Sequence, residues 1–143
     1  MEVEKFFGSN YSGSKNFKQQ DVLTANATGF GAAADDYMER GIDLNEQLIR
    51  NKPATFFMRV SGNSMVNAGI FDGDIVIVDR SLKPQNGKIV IAVIDGEMLI
   101  RRYEKTMNSL RLIPETTKLS PIDISEFMDF KIWGVVVYII RNV

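Results

Sequence analysis

Ser64 stands in the stretch SGNSM, after Gly62 and Asn63 and before the apolar Met65. As a turn residue it needs nothing further, because Asn, Gly and Ser populate loops for reasons of backbone geometry. As a nucleophile it needs a base, and the chain contains no histidine and no cysteine. That removes the commonest general base, thiol nucleophiles, disulfides and cysteine metal sites. The familiar option left is a lysine in an apolar site, where desolvation lowers its pKa until the neutral amine can take the serine proton. Such a lysine belongs on a core strand with apolar neighbours, which points to GEMLIRRYEK, residues 96–105.

Other clusters carry less chemistry. FDGD, with Asp72 and Asp74, is one short D-x-D without a further ligand series, and reads as a turn entering a strand rather than a cation site. Asp35, Asp36 and Glu39 read as a solvated face or a helix start. Arg101 and Arg102 could suggest a phosphate clamp, but adjacent strand residues point to opposite faces, so at most one lines any site. No metal site and no cofactor are called for.

The elements that must position Ser64 follow from periodicity. From Thr55 onward the chain turns to β-branched and aromatic residues: TFFMRV (55–60), DIVIVD (74–79), KIVIAVI (88–94), EMLIRRY (97–103), LRLI (110–113) and FKIWGVVVYII (130–140) read as strands. Asp95-Gly96 is a hairpin turn, Pro84-Gln85-Asn86-Gly87 marks another, and Pro114 and Pro121 bound later loops. Before them, GIDLNEQLIRNKP reads as a short helix capped by Asp43, with Leu44, Leu48 and Ile49 on one face and Pro53 after its end. Up to about residue 36 the chain is rich in Gly, Ser, Asn, Gln and Ala. Such a stretch cannot bury enough apolar area to offset its ordering entropy, so it reads as an arm that is mobile or docks onto something. The expected fold is mainly β, a curled or barrel-like antiparallel sheet with a flexible N-terminal arm and one short helix.

Gross numbers narrow the function classes. With 143 residues, 45% of them hydrophobic, the chain suits one compact domain plus an arm. Seventeen basic and 18 acidic residues give a net charge of −1, which provides no broad positive field for binding nucleic acid directly. The longest apolar stretch, IWGVVVYII (132–140), is too short to span a bilayer, and the first twenty residues contain no signal-peptide core, so a soluble cytoplasmic protein is expected.

Taken in order and spacing, SGNSM, AGIFDGDIVIVD and IDGEMLIRRY resemble the LexA/UmuD family of self-cleaving serine peptidases. The resemblance runs from about residue 28 to 141 and includes TGFGAAADDYMERGIDLNEQLI, LIPETTKLSPIDI and WGVVV. It implies a dimeric β fold in which a serine and a lysine form a dyad that cuts the chain's own arm. By position the nucleophile is Ser64 and the scissile bond Thr28-Gly29, which divides the chain into an arm, 1–28, and a peptidase domain, 29–143. The resemblance also implies stimulation by RecA on single-stranded DNA, and a shortened homodimer that joins the catalytic subunit of an error-prone translesion polymerase. Backbone N–H groups of Ser64 and Met65, exposed by the Gly62-Asn63 turn, are the candidate oxyanion donors, while the Met65 side chain packs inward.

Two positions depart from the family pattern. The dyad lysine belongs at position 101, which holds Arg101. A guanidinium keeps its proton throughout the range in which proteins work, so it can hold Ser64 by a hydrogen bond but cannot act as its base. Three accounts stay open: a natural arginine with cleavage lost or very slow, a substitution that traps the uncut form, or another lysine, the nearest being Lys105. At the cut, the residue before glycine is small in this family, whereas Thr28 is β-branched and stiff at χ1. A non-catalytic interaction subunit that keeps the peptidase fold is the competing function. A LexA-like repressor would need a helix-turn-helix pattern before Gly29, and none is present.

Overall fold

A computed structural model describes residues 2–7, 41 and 43–143, and the chain divides into two units, Asn10–Arg50 and Met1–Ser9 with Asn51–Val143. Thr28, Gly29, Asp35, Asp36 and Glu39 lie outside the described residues. In the first unit, α1 (Leu44–Leu48) begins where the sequence places its cap, with the Asp43 carboxylate accepting from the Asn45 amide at 2.9 Å. Pro53 falls just beyond it, in a 3-10 turn over Lys52–Ala54. Among the described residues no helix is long and apolar enough to cross a membrane.

The second unit is one antiparallel sheet of eight strands. They are β1 (Val3–Phe7), β2 (Thr55–Val60), β3 (Ile75–Asp79), β4 (Ile89–Ile94), β5 (Glu97–Lys105), β6 (Leu110–Ile113), β7 (Ile122–Asp123) and β8 (Phe130–Ile140). Their order across the sheet is β1-β2-β3-β8-β4-β5-β6-β7, so the last strand returns to the middle, between β3 and β4. The six strands read from periodicity are all present. At Asp95-Gly96 both residues have positive φ, 50° and 86°, which is the two-residue turn whose twist matches its flanking strands; it joins β4 to β5 with Ile94 opposite Glu97.

At residues 3–7 the chain docks, one of the two alternatives that the arm reading left open. These residues form an edge strand, antiparallel to β2 with Val3 opposite Val60 and Glu4 opposite Arg59, and Val3 is fully buried. The pairing supplies the ordering energy that the local composition lacks. Lys105 differs from expectation, being the last residue of β5 rather than beyond the strand.

Strand β8 makes the sheet curl. Its register against β3 skips Val137 and its register against β4 skips Trp133, and each extra residue bends the strand and increases its twist. Between the two bulges lies Gly134, where an added Cβ would stand 2.6 Å from Cγ1 of the fully buried Val78; only glycine lets the backbones approach so closely. As a result the sheet rolls until the edge beyond β1 meets β5, and the Glu2 amide donates to the Met98 carbonyl at 3.0 Å.

Apolar side chains pack on both sides of the central strands. One cluster holds Val3, Met58, Val60, Met65, Ile70, Val76, Val78, Ile91 and Ile100; the other is built from Val90, Ala92, Tyr103, Leu112 and Val135. Burial of each large aliphatic contributes about 1.5–3 kcal/mol, which is why IVIVD and IVIAVI are nearly continuous apolar runs. The first cluster includes Met65 and Ile100, the neighbours of Ser64 and Arg101, so the packing that stabilises the sheet also positions the site.

Candidate active site

Ser64 lies in the turn that leaves β2. Backbone bonds between Val60 and the 73–74 region, Val60 N–H to Asp74 O and Gly73 N–H to Val60 O, both 2.8 Å, close the base of the loop. Gly62 adopts φ +91°, a conformation that favours glycine, and its amide donates to the Asp72 carboxylate at 2.7 Å. Met65 is fully buried, and its carbonyl accepts from the amides of Ala68 (3.0 Å) and Ile70 (3.2 Å). The Ser64 carbonyl accepts from the Glu115 amide at 2.9 Å, and the Asn67 amide donates to the Glu115 carbonyl at 2.8 Å. The serine loop is thus attached to the segment after β6 as well as to its own strand.

Arg101 arrives from β5, opposite Val90 of β4, and is only 5% exposed. The structure brings it and Ser64 to one atom, Oε1 of Glu2. That oxygen accepts from Ser64 Oγ at 3.0 Å, from the Ile100 amide at 3.2 Å and from Arg101 Nη1 in a short ion pair. Arg101 Nη1 also donates to the Ile100 carbonyl at 2.8 Å, while Arg101 Nε is buried without a hydrogen-bond partner among the described residues. A buried cation without a counter-charge costs several kcal/mol, so a carboxylate here is what allows an arginine at this depth. The site opens into a cleft of about 280 Å³ whose lining includes Glu2, Ser64, Thr116 and Lys118.

Other candidate residues fall elsewhere. Lys105 is exposed at the far end of β5, four residues or about 13 Å along the strand from position 101, and its backbone is held by the Asn86 side chain. It is not brought to Ser64. Arg102 points away from Arg101, as alternation along a strand requires, and donates to Glu115 and to the Gly87 carbonyl, both at 2.6 Å. Asp72 and Asp74 form the strand-entry turn expected of FDGD: the Asp74 amide donates to the Phe71 carbonyl at 3.0 Å, and the Asp74 side chain accepts from the Phe71 amide at 2.8 Å. Asp74 is also paired through both oxygens with Arg141, at 2.8 and 2.6 Å. Hydrogen bonding from Arg141 holds the Asp74 carboxyl below the usual range, against the opposing effect of its burial. Arg141 in turn stacks its guanidinium 4.6 Å over the Phe71 ring.

Three participants were not legible in the sequence: Glu2, Glu115 and Arg141. The alternation of Glu2, Val3 and Glu4 is the one trace of a strand near residue 3, and it is too short to stand out in a charged, glycine-bordered segment.

A curled antiparallel sheet with a serine loop beside a mid-strand cation defines a class, and sequence comparison agrees with it. The S24-like peptidase family matches residues 21–137, and the chain belongs to that family, the LexA/UmuD group of self-cleaving serine peptidases. It is 42% identical over 118 residues to Protein ImpA of Salmonella typhimurium, covering 80% of this chain and 77% of that protein. It is 38% identical over 121 residues to LexA repressor 1 of Xanthomonas campestris pv. campestris, covering 85% of this chain and 60% of the repressor. A similarity of 41% over 109 residues links it to the LexA repressor of Caldicellulosiruptor saccharolyticus, covering 76% of this chain and 52% of that protein.

Proposed function

We propose that the chain is a UmuD-like accessory subunit of the response to DNA damage, a self-peptidase whose cut is held back by Arg101. The observation that carries this reading is the convergence of Ser64 Oγ and Arg101 Nη1 on one oxygen, within a fold of the self-cleaving family. With a lysine at position 101, Ser64 Oγ attacks the Thr28 carbonyl carbon and its proton passes to the neutral amine at that position. The Ser64 and Met65 amides stabilise the oxyanion. Collapse of the tetrahedral intermediate transfers the proton to the Gly29 nitrogen, releases the 29–143 product and leaves residues 1–28 as an ester on Ser64, which water hydrolyses. A neutral lysine amine performs the first transfer; the guanidinium of Arg101 already carries its proton and cannot. A tethered arm raises the effective concentration of the bond but supplies no base, so in the native chain the Ser64 proton passes to solvent, which suits a slow cut under the control of RecA on single-stranded DNA. The processed homodimer then serves the catalytic subunit of an error-prone polymerase, acting through that partner rather than on nucleic acid directly.

A second reading, a non-catalytic interaction subunit that keeps the fold, is favoured by the ion pair that engages Arg101. The experiment that separates them is the mass of the purified chain, native and Arg101→Lys, after incubation with RecA filament or at alkaline pH. A species beginning at Gly29 supports the peptidase. If Arg101→Lys also stays full length under both conditions, the interaction subunit replaces it.

A further inference from the structure

The environment of Glu2 makes the serine groove more than a place for a scissile bond. The residue is held there by its backbone and its side chain together: its amide donates to the Met98 carbonyl at 3.0 Å, its carbonyl accepts from the Ser61 amide at 2.6 Å, and its carboxylate meets Ser64, Ile100 and Arg101. An extended segment that bonds to β5 on one side and to the end of β2 on the other, with a polar group 3.0 Å from Ser64 Oγ, satisfies the geometry required of a substrate strand. It differs in what it presents to the serine. A side-chain carboxylate is resonance-stabilised and not an acyl donor, and its charge is matched to the guanidinium.

We propose that Ser64, the Ile100 amide and Arg101 form a receptor for a carboxylate on an extended strand, and that Glu2–Phe7 is its built-in occupant, closing the groove to the cleavable segment. The register supports this occupant. Val3 is buried in the core, and pairing with β2 continues through Glu4 and Lys5, so Glu2 is delivered by an anchored strand. Strand and carboxylate act in series: while both hold, Ser64 and Arg101 are each only 5% exposed. The alternative role for Glu2, as proton acceptor for Ser64, is disfavoured because the oxygen that faces Ser64 Oγ already accepts from Arg101 Nη1 and the Ile100 amide. Release of Glu2–Phe7 from the groove is then the step that any trigger of cleavage has to bring about.

The inference rests on the site described under the proposed function, and its test reads occupancy separately from cleavage. Amide hydrogen exchange of the full chain, followed by nuclear magnetic resonance, is compared for native, Glu2→Gln and Glu2→Ala protein. In Glu2→Ala the Ile100 and Ser61 amides exchange about ten-fold faster or more, while Val76 and Ile91 in the centre of the sheet keep their native rates. In Glu2→Gln, which keeps an acceptor but loses the charge, the same two amides accelerate about three-fold or more. Native rates at Ile100 and Ser61 in both variants overturn the proposal. If Glu2→Ala loosens the whole sheet, Glu2→Gln alone decides by the same criterion. A second measurement places Glu2→Gln in the Arg101→Lys chain, where the rate of appearance of the Gly29 species rises about ten-fold once the groove is open. An unchanged rate sinks the idea of a closing strand, and a lowered one assigns Glu2 to proton transfer. Faster amide exchange with no cleavage in either chain upholds the occupant and counts against the peptidase reading instead.

Discussion

Two ion pairs, one near each end of the sequence, fasten terminal segments to the same sheet, and they are built in opposite senses. At the serine groove the buried member is a cation, Arg101, and the partner that comes to it is Glu2, 21% exposed at its side chain. At the neighbouring turn the buried member is an anion, Asp74, and the partner is Arg141, 45% exposed at its side chain. Asp74 is fully satisfied: both oxygens take Arg141 and one also takes the Phe71 amide. Arg101 is not, for its one bond to Glu2 leaves the buried Nε without a partner among the described residues. A satisfied bidentate pair is an anchor, whereas a buried donor left over beside Ser64 marks a place where packing was not optimised for stability alone. The Asp74 pair holds the loop that positions Ser64, and the Arg101 pair holds Ser64 itself.

The comparison breaks most readily at position 101. Arg101→Lys supplies an amine able to lose its proton, and formation of the Gly29 species at alkaline pH is expected to rise by about 10²–10⁴-fold over the native chain, followed by mass spectrometry. Adding Ser64→Ala to that chain returns it to no product.

Stability gives the next largest contrast. Asp74→Ala leaves the Phe71 amide without its acceptor and is expected to lower the unfolding free energy by about 1–3 kcal/mol, measured by urea titration. Glu2→Ala should cost less, because the vacated groove opens to water and the Arg101 guanidinium becomes hydrated. A larger loss for Glu2→Ala than for Asp74→Ala would reverse the assignment of anchor and occupant.

Acid sharpens the same distinction. The Asp74 carboxyl is depressed in the folded chain from its ordinary value of 3.8, so its contribution is fully present above that value. It is lost as the pH falls through the lower, folded value. Urea midpoints measured across this acid range should fall less steeply in Asp74→Asn than in the native chain. The smallest effect is expected for Arg141→Ala, whose exposed guanidinium is replaced in part by water while Asp74 keeps the Phe71 amide. A shift in urea midpoint equal to that of Asp74→Ala would show that the turn depends on the cation and not on the buried carboxylate.

Much of the fold is legible in the sequence because its signals are local. Period-two runs bounded by Asp95-Gly96 and the Pro84–Gly87 turn gave the six long strands, and alternation along β5 separated Arg101 from Arg102. Strand β1 escaped because five residues with charges at Glu4 and Lys5 carry little β signal by themselves. Their order comes from Val3 entering the core and from hydrogen bonds to β2, neither of which is written in the neighbouring residues.

The amino-acid order alone established a histidine-free, cysteine-free β chain with a serine in a Gly-Asn turn and an arginine at position 101, since residue type and short-range period require no knowledge of the fold. That Ser64 and Arg101 meet on Glu2 was decided only in three dimensions. The contact joins residues 62 and 99 positions apart, and it depends on the bulged β8 rolling one edge of the sheet toward β5. Side chains so far apart along the chain are brought together by curvature and packing, which are properties of the whole sheet and of no single segment.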